Sequence, residues 1–487
     1  MTSEYLRDPK KFLVTILNNL KKSNQNFIVH YKKKYPYREF YEDIKKTHFF
    51  LKKLNKEKIA LFSDKSFGYY LGVLSIVLSG NTWVQISPSI PKNRIKSILK
   101  SAKIKFAIYD DSFPKKNIPK KKNLKFFSIK KMLKQSFKSN IDLNNIKLDD
   151  ISMIFFTSGS TGEPKGVKIS YKSFITSAYL QSKKLKYLKK KEIFSDYHDT
   201  SFVMSLNVIF PAVFLNCSIA PILEQQDKVN PIKHILKNKV TVLITVPSFI
   251  LFLKKTLMKS KIKINKIILC GENFPFSLLA FLKKNLKFNY IFNSYGATEL
   301  SPWAFTYEFN NKDLKLIKNV GQVPIGKPYE KIKININKKK ELMISGPTVC
   351  SGYLNIKKDK KFILLRNETF YNTGDIITKK NNLYFCIGRN DTLVKLKGNR
   401  IDLLEIENLV KKITNVNYTF CFLKKNKFPY LILIINAEKK ISETLLRNNI
   451  SRFLPNYMMP KSIHFEKKLK FNKNGKVDKA YYRSAYN

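Results

Sequence analysis

The stretch ISMIFFTSGSTGEPKG, residues 151–166, joins an apolar run to a glycine-rich turn. The apolar residues predict a strand, which ends at Thr157, Ser158 and Gly159. Successive backbone N–H groups and hydroxyls meet there, the glycines permit close approach to a ligand, and Lys165 adds a positive charge. The spacing is not that of a P-loop. On these residues alone, a phosphate-binding loop and an ordinary Ser/Gly-rich turn therefore both stay open.

Segments typical of strands and helices alternate around this stretch. KIALFSD (58–64) predicts a short buried strand, and SFGYYLGVLSIVLSG (66–80) has helical spacing. Further strands that end in Ser, Thr, Gly or Pro are predicted at residues 241–248, 266–272 and 290–296. The alternation predicts an α/β fold with large mixed sheets flanked by helices, in which ligands bind where strands end in loops.

The pattern changes after about residue 388. A helical segment at 403–413, short strands at 418–425 and 430–437 and a basic tail predict a small α+β domain. A chain of 487 residues is too long for a single hydrophobic core. We therefore expect a large N-terminal domain, residues 1–388, and a small C-terminal domain, residues 389–487.

The charge balance is strongly basic, with 92 Lys+Arg against 35 Asp+Glu and a formal net charge of +57. Such an excess is typical of proteins that bind nucleic acid or acidic membranes. The lysines are spread over almost the whole chain, however, and accompany many Ile, Asn, Phe and Tyr residues. That pattern also fits compositional drift with a solvated surface, which we favour, so no nucleic-acid partner is expected. The runs at residues 120–122 and 338–340 are predicted to be exposed turns.

The cysteines and the N-terminus indicate the cellular compartment of the protein. The cysteines are far apart and form no CxxC pair, which indicates neither a zinc site nor a disulfide framework and favours a reducing compartment: Cys217, Cys270, Cys350, Cys386 and Cys421. The N-terminus is interrupted by charges and lacks the apolar core of a signal peptide. The most hydrophobic stretch, residues 71–80, is too short to span a bilayer. We expect a cytoplasmic protein without a membrane span.

SGSTGEPKGV (158–167) resembles the phosphate loop of the adenylate-forming superfamily, which includes acyl-CoA synthetases, firefly luciferase and the adenylation domains of nonribosomal peptide synthetases. Five further stretches resemble the other motifs of that superfamily, in its order: residues 71–91, NSYGATEL (293–300), YNTGDI (371–376), GRNDTLVKLKGNRIDLLEIE (388–407) and NGKVDK (474–479). Together they cover the chain from about residue 60 to its end. The resemblance implies an AMP-forming ligase that converts a carboxylate and ATP to an acyl-adenylate and pyrophosphate, after which a thiol displaces AMP.

The resemblance also implies residues that contact ATP. Tyr295 offers a ring on which adenine could stack, and Asn293 can donate and accept hydrogen bonds at a base edge. Asp375 would hold the ribose hydroxyls; Arg389 would reach the ribose as well, or serve as a structural salt-bridge partner. The full set is Thr157, Ser158, Gly159, Ser160, Thr161, Gly162, Lys165, Gly271, Glu272, Asn293, Tyr295, Gly296, Asp375 and Arg389.

Three residues are implied to be catalytic. Glu299 would bind Mg²⁺, for which a hard carboxylate oxygen is a suitable ligand, and Thr298 would lie near the α-phosphate. Lys476 would bridge the carboxylate and the α-phosphate as charge develops between them. Such a transfer needs mainly positioning and charge neutralisation.

Members of the superfamily run both half-reactions in one cleft, and their small C-terminal domain rotates between the two. The resemblance places the hinge of this chain near Asp391 to Lys395. Gly398 would then face the tunnel through which the thiol enters. A loop pivot with a nearby glycine is compatible with domain closure of this kind.

The carboxylate substrate is harder to infer. VPIGKPY (323–329), SGPTVCSGYLN (345–355) and LPNYMMP (454–460) resemble the peptide-synthetase subfamily, whose amino-acid-activating members pair the α-ammonium with an Asp in a Phe-Asp-x-Ser context. The corresponding stretch, residues 196–211, aligns in two ways.

One alignment puts Asp199 at this position and keeps an amino acid as substrate. The other puts Val203 there, and because an unpaired ammonium is costly to bury, it favours an aryl, hydroxy or fatty carboxylate. His198 is compatible with a gating residue of acyl-CoA synthetases or with a packed histidine. We prefer an amino-acid-like substrate, because the subfamily resemblance is spread over several motifs.

The acceptor is also left open. No carrier-protein segment follows residues 474–479, so we expect the phosphopantetheine thiol of a separate carrier protein, as in D-alanine–carrier-protein ligases. The positive charge would suit an acidic carrier surface. The alternative is an acyl-CoA ligase that transfers an aryl, hydroxy or fatty acyl group to coenzyme A. A nucleic-acid-binding protein without catalytic activity is the rival from another class.

Lys165→Ala tests the proposed phosphate loop. The loop is expected to hold the β- and γ-phosphates, so the variant should lower ATP–pyrophosphate exchange by about tenfold to a hundredfold, the usual value of a hydrogen bond to a charged group. Transfer from preformed adenylate to the thiol should change much less, because pyrophosphate has left by then. Lys172→Ala, outside the motif, is the control; equal losses in both steps would contradict the assignment.

Overall fold

The computed structural model describes residues 4–119, 123–135, 140–158, 164–185, 191–260, 262–389, 393–416, 418–426, 428–437, 441–470 and 477–486. The fold is described for these residues. Six residues predicted for the site lie outside them: Gly159, Ser160, Thr161, Gly162, Asp391 and Lys476. The lysine run at 120–122 lies outside them as well.

The strands of the described residues are, in chain order, β1 (Asn26–His30), β2 (Lys33–Pro36), β3 (Lys58–Phe62), β4 (Thr82–Ile86), β5 (Phe106–Tyr109), β6 (Lys125–Ser128), β7 (Ile151–Thr157), β8 (Lys165–Ser170), β9 (Ile193–Asp196), β10 (Ser218–Pro221), β11 (Val242–Thr245), β12 (Lys263–Cys270), β13 (Lys287–Gly296), β14 (Trp303–Glu308), β15 (Lys327–Pro328), β16 (Lys333–Ile336), β17 (Glu341–Ser345), β18 (Phe362–Leu365), β19 (Glu368–Lys380), β20 (Leu383–Arg389), β21 (Leu393–Leu396), β22 (Asn399–Asp402), β23 (Tyr418–Lys424), β24 (Tyr430–Asn436) and β25 (Ser462–Glu466).

The α-helices are α1 (Glu4–Arg7), α2 (Lys10–Lys22), α3 (Tyr37–Lys52), α4 (Phe67–Leu78), α5 (Lys92–Ser101), α6 (Ile129–Leu133), α7 (Tyr171–Lys184), α8 (Leu206–Phe214), α9 (Gln225–Val229), α10 (Pro231–Lys237), α11 (Pro247–Lys259), α12 (Phe276–Asn285), α13 (Leu314–Val320), α14 (Leu403–Thr414), α15 (Glu443–Ser451) and α16 (Lys479–Ala485). Short 3₁₀ helices lie at Lys115–Asn117, Val203–Ser205, Thr298–Leu300, Asn311–Asp313 and Asn456–Met458.

Two large sheets form the first part of the chain. Within the described residues, one has nine strands in the order β15-β14-β13-β12-β11-β9-β10-β1-β2, and the other has six in the order β6-β5-β3-β4-β7-β8. Their central strands are parallel, from β9 to β13 in the first sheet and from β3 to β7 in the second. A third, antiparallel sheet contains β16 to β20.

The central strands of these sheets are buried on both faces. Every residue of β4 and of β11 is buried, which explains why these segments show no alternation of buried and exposed positions. Helix α4 is buried along almost its whole length. It begins at Ser66, whose side chain accepts a hydrogen bond from the Tyr69 backbone N–H and so caps the helix.

The last hundred residues form a smaller α+β unit. The hairpin β21–β22 precedes α14, and the sheet β23-β24-β25 packs on α14 and α15. Apolar residues of this segment form a hydrophobic core of their own, including Ile401, Ile406, Val410, Leu433 and Ile450. The prediction of an α/β fold with large mixed sheets and a small α+β C-terminal domain is confirmed. The division at residues 388 and 389 stays a prediction.

Several local predictions are confirmed too. The predicted strands at 58–64, 241–248, 266–272 and 290–296 correspond to β3, β11, β12 and β13, and the predicted helix at 66–80 to α4. Lysines 338–340 lie in the exposed turn between β16 and β17. All cysteines are free and buried. Among the helices of the described residues, none is both long enough and apolar enough to cross a membrane.

Candidate active site

The candidate site lies at the carboxyl ends of parallel strands. β9, β11, β12 and β13 run side by side, and the residues that follow them meet at one edge of the nine-stranded sheet. There lies a cleft of about 1220 Å³, which is lined by both parts of the chain. From the first part come Tyr197, His198, Asp199, Phe202, Met204, Val246, Ser248, Phe252, Glu272, Asn273 and Asp375; from the second come Leu393, Lys395, Gly398, Phe420, Lys425, Phe428, Lys461, Lys479 and Arg483.

Glu299 is buried beside a cation and a phenol. It lies in the 3₁₀ turn after β13, next to the half-exposed Thr298. Its carboxylate accepts a hydrogen bond from the Tyr353 hydroxyl at 2.7 Å and pairs with the Arg400 guanidinium at 2.8 Å. Burial acts to raise the pKa of Glu299, but Arg400 and Tyr353 outweigh it and hold the pKa below its ordinary value. The carboxylate is therefore ionised at neutral pH and is a suitable ligand for a hard cation.

Arg400 was missed by the sequence analysis. It lies on β22, within the stretch 388–407, in which only Arg389, the hinge and the thiol tunnel had been assigned a role. Besides Glu299, it donates a hydrogen bond to the Tyr371 hydroxyl at 3.3 Å. A signal was present in the sequence: an arginine among many lysines indicates a planar, oriented contact more often than a lysine does. Its partner, 101 positions earlier in the chain, could not be read from the sequence.

Asp375, Arg389 and Tyr295 form a second buried cluster. Asp375 and Arg389 are direct partners in the β19–β20 ladder, and their side chains form an ion pair. The Tyr295 hydroxyl donates to Asp375 at 2.6 Å, and Arg389 also donates to the Thr373 carbonyl at 2.8 Å. Burial, and then Asp375, raise the pKa of Tyr295 well above its ordinary value, so the phenol stays protonated. Arg389 is thus a salt-bridge partner of the predicted ribose ligand. This position is compatible with both interpretations of Arg389, as a residue that reaches the ribose and as a salt-bridge partner.

Asn293 and Tyr295, predicted to contact adenine, line a small cavity with Gly271, Glu272 and Gly296. The Asn293 amide donates to the backbone carbonyls of residues 323 and 324. Its donors are therefore engaged, and its oxygen is the atom left to face a base edge. A Cβ atom on Gly296 would lie 1.9 Å from the carbonyl oxygen of residue 302, so only glycine fits there.

The described part of the predicted phosphate loop is the end of the β7–β8 hairpin. Thr157 and Lys165 face each other across that hairpin. The Lys165 ammonium lies 3.4 Å from Asp359 and 5.3 Å from the Tyr353 ring centre. The Ser158 hydroxyl donates to the Arg400 carbonyl at 3.1 Å and accepts from the Asp402 N–H at 3.0 Å. In this arrangement, the start of the loop is thus held by β22.

The β21–β22 hairpin reaches into the cleft with its turn. Gly398 has φ of +78°, a conformation that favours glycine, and a Cβ atom there would lie 2.8 Å from Val246. Its N–H donates to Glu272 at 2.6 Å, and Glu272 also accepts from the Ser248 N–H and hydroxyl. The Lys395 ammonium lies 5.6 Å from the Tyr295 ring centre. The predicted tunnel residues and the predicted ATP residues are thus in contact.

The three predicted substrate-pocket residues differ in their surroundings. Both carboxylate oxygens of Asp199 accept hydrogen bonds from serines, at 3.1 Å from Ser87, 2.8 Å from Ser89 and 2.6 Å from the Ser201 hydroxyl. Val203 is buried in the 3₁₀ turn before α8, while its neighbours Phe202 and Met204 line the cleft. An ammonium at Asp199 would therefore compete with three hydroxyl groups.

His198 is held by a buried ion pair behind the cleft. The Lys65 ammonium donates to the His198 carbonyl and lies 2.8 Å from Asp196, which also accepts from the Tyr70 hydroxyl at 2.6 Å. Burial, with a contribution from Lys65, lowers the pKa of His198 to about 4. The imidazole is therefore neutral at pH 7, and the Lys65–Asp196 pair fixes the loop that follows β9 relative to β3.

Comparison with known proteins identifies the family. The sequence pattern of the AMP-binding enzyme family matches residues 18–354, more than half of the chain. The chain belongs to this family. It is an adenylate-forming ligase, and the resemblance inferred from the six motifs is confirmed.

Two relatives of this adenylate-forming ligase are each 27% identical to it. Bacitracin synthase 1 of Bacillus licheniformis is 27% identical over 443 residues, which make up 86% of this chain but only 8% of that protein. D-alanine–D-alanyl carrier protein ligase of Staphylococcus aureus (strain JH9) is 27% identical over 447 residues, 87% of this chain and 89% of that protein. The chain thus spans a small part of the first relative and most of the second.

The fold matches solved adenylation domains. The Vibrio cholerae adenylation domain AlmE, in complex with glycyl-adenosine-5'-phosphate, superposes with a TM-score of 0.83 at 18% identity, over 98% of this chain and 97% of that chain. At this identity the likeness concerns the fold.

Arg400→Met tests the electrostatic account of Glu299. The folded pKa of this carboxyl lies below its ordinary value of 4.5, so the pair stabilises the fold fully above pH 4.5 and loses its effect as the pH falls through the folded pKa. Without Arg400, burial would instead raise the pKa of Glu299. Thermal unfolding at pH 7 should then show a loss of about 3–5 kcal/mol, the usual cost of breaking a buried pair.

Thermal unfolding of Arg400→Met and the parent at lower pH should show a smaller loss of stability, because protonated Glu299 needs no cation. Arg452→Met, an exposed arginine of the same C-terminal segment, is the matched control and should change stability little. An Arg400→Met variant as stable as the parent at pH 7 would contradict the account.

Proposed function

We propose that the enzyme activates an amino-acid-like carboxylic acid with ATP and transfers the acyl group to the phosphopantetheine thiol of a separate carrier protein. The observation that carries this proposal is the cleft, which extends from Asp375 to a rim of cationic and apolar side chains. The relative that aligns over most of its own length is named as a ligase for a D-alanyl carrier protein. The free, buried cysteines suit a cytoplasmic setting, which keeps thiols reduced.

The adenylation step would use the inner end of the cleft. We propose that Asp375 binds the ribose, that Tyr295 and Asn293 bind adenine, and that Thr157, Ser158 and Lys165 belong to the phosphate loop. The substrate carboxylate would then attack the α-phosphorus, forming a C–O–P linkage as the bond to pyrophosphate breaks. Catalysis of such a step rests on positioning and on neutralising charge.

Glu299 fits a magnesium ligand by its chemistry, since it is an ionised carboxylate at the carboxyl edge of the sheet. A bound Mg²⁺ would offset the negative charge of the phosphates. In the present arrangement, however, Arg400 pairs with the same carboxylate. We infer that Arg400 moves away from Glu299 when Glu299 binds Mg²⁺. The arrangement in which Arg400 and Glu299 are paired would then belong to the thiol step and not to adenylation.

Withdrawal of Arg400 requires that the C-terminal domain, residues 389–487, moves as a unit. We propose that it turns about a hinge near Asp391 to Lys395, which brings Lys476 to the reacting carboxylate for the first step. Three further contacts would have to open with Arg400–Glu299: Gly398 to Glu272, Ser158 to β22, and the buried ion pair between Arg94 and Glu405.

The rim of the cleft favours a carrier protein over free coenzyme A. Lys425, Lys461 and Lys479 line it and suit the phosphate of a phosphopantetheine arm, which both acceptors carry. Phe252 is 65% exposed and Phe428 64% exposed on opposite parts of the chain. Large apolar side chains in water mark protein contacts more often than small-molecule contacts. The basic rim would also attract an acidic carrier.

ATP–pyrophosphate exchange with amino, aryl, hydroxy and fatty acids tests the first step without knowledge of the acceptor. The enzyme should then be given the best acid with either holo-carrier or coenzyme A. We expect thioester formation on the carrier to be at least about tenfold faster than on coenzyme A. This factor is what one well-packed side chain at a protein interface contributes to binding. Rapid acyl-CoA formation without carrier loading would contradict the proposed acceptor.

Phe252→Ser and Phe428→Ser sharpen this test. Each should slow carrier loading by about tenfold and leave pyrophosphate exchange unchanged, because neither residue contacts the proposed ATP site. Phe453→Ser is the matched control, since Phe453 is also exposed but does not line the cleft.

A further inference from the structure

Arg94 and Glu405 form a second buried ion pair between the two parts of the chain. Arg94 is on α5, and Glu405 is in the first turn of α14. The guanidinium pairs with the carboxylate, and the two side chains are only 7% and 0% exposed. Neither residue is among those that line the cleft. The pair therefore acts on the position of the C-terminal domain and not on a molecule bound in the cleft.

Burial decides what this pair contributes. Removing two charges from water offsets most of the attraction between them, so a buried pair adds little to stability. One buried charge without its partner, in contrast, is strongly destabilising. Contact between α5 and α14 is therefore favourable only where Arg94 meets Glu405. If the domain turns away, water can solvate both charges again.

This pair and the Glu299–Arg400 pair have opposite polarity. The first part of the chain supplies the carboxylate of Glu299 to Arg400, and it supplies the guanidinium of Arg94 to Glu405. Arg400 and Glu405 are close neighbours in the sequence, on β22 and at the start of α14. Like charges that face each other across an interface are costly. The segment from β22 to α14 therefore has one favourable direction on the first part of the chain.

The pair lies beside the proposed acid pocket. Arg94, Tyr457 and Ser89 are among the residues that line one small cavity, and Ser89 donates to Asp199 at 2.8 Å. Tyr457, which belongs to the C-terminal part, packs on Phe202 with 5.7 Å between the ring centres. Phe202 also lines the cleft. The C-terminal domain thus contacts the residues that surround the place proposed for the acyl group.

Arg94 and Arg400 differ in what a substitution would disturb. Arg400 pairs with the proposed magnesium ligand, so a change there would affect both half-reactions. Arg94 and Glu405 are not among the residues proposed to bind ATP or Mg²⁺. Their pair is formed in the present arrangement, which we assigned to the thiol step.

We propose that Arg94 and Glu405 are positioning residues of the thiol step, which hold α14 and the β21–β22 hairpin in the orientation that lets a thiol reach the acyl-adenylate. In this step, the thiol sulfur bonds to the acyl carbon, the bond from that carbon to the AMP oxygen breaks, and the thiol proton passes to water. The inference rests on the proposed function, because that function assigns the present arrangement to the thiol step. Adenylation takes place with the pair apart.

A double-mutant cycle tests this role. Arg94→Met, Glu405→Met and the double variant are given ATP and the best acid of the exchange panel; phosphopantetheine, the arm that both candidate acceptors share, is the thiol. Each single variant should slow transfer from preformed adenylate by about tenfold to a hundredfold, which is what one charge-assisted hydrogen bond contributes. The double variant should be no slower than the single variants, because it leaves no buried charge unpaired.

ATP–pyrophosphate exchange is the internal control. All three variants should keep exchange and the KM for ATP within about twofold, because an interaction that is absent from a step does not change its rate. Arg38→Met, the same change at an exposed arginine of α3, should leave both steps unchanged. If Arg94→Met does not fold, Glu405→Gln, which removes the charge and keeps the shape, replaces it with the same expectations for transfer and exchange.

Unchanged transfer in the single variants would overturn the inference. Equal losses in exchange and transfer would overturn it too, as would losses that simply add in the double variant. In each of these cases an acid is still adenylated by the parent enzyme, so the proposed function would stand. Exchange with no acid, amino or other, would overturn the proposed function and this inference together.

Discussion

The buried ion pair between Glu299 and Arg400 is the contact on which the arrangement of the two parts of the chain depends. Glu299 is almost completely buried, and a carboxylate in that position needs a cation and hydrogen bonds. Arg400 supplies the cation and Tyr353 a hydrogen bond. Because Arg400 is carried by β22, the C-terminal hairpin is fixed wherever this pair is formed. The Gly398–Glu272 and Arg94–Glu405 contacts also join the C-terminal segment to the first part of the chain, and they form in the same arrangement.

This constraint links the fold to the order of the reaction. The carboxylate proposed to bind Mg²⁺ with ATP is the one that holds Arg400 here, and one buried carboxylate is better suited to one strong cationic partner at a time. The two half-reactions would then correspond to two partners of Glu299. Binding of the divalent ion in place of the guanidinium would by itself shift the equilibrium between two discrete domain arrangements. No further signal would be needed to couple the arrangement to the reaction step.

Much of the fold could be predicted because its central strands are buried on both faces and end at Gly, Ser or Thr. That pattern is local, as is each of the motifs that singled out Glu299, Asp375 and Arg389. Their partners are not local. Arg400 is far from Glu299 in the chain, and Asp199 satisfies serines that come from a distant loop as well as a neighbouring one. Such pairs follow from packing, so a single sequence does not show them.

The substrate pocket shows the same limit. Two alignments of residues 196–211 left Asp199 and Val203 as alternatives, and neither showed the serine hydroxyls that donate to Asp199. The residues of the site that lie outside the described ranges, above all Lys476, remain predictions from the motifs.

The most direct test of the central claim is a distance between the two parts of the chain. Spin labels at Lys254→Cys on α11 and Asn448→Cys on α15, both exposed positions, would report it by dipolar spectroscopy. The account predicts one distance in the free enzyme that matches the present arrangement, and a second distance when ATP, Mg²⁺ and a non-reactive acid analogue are added. A single unchanged distance under both conditions would contradict the claim that Glu299 exchanges Arg400 for the metal.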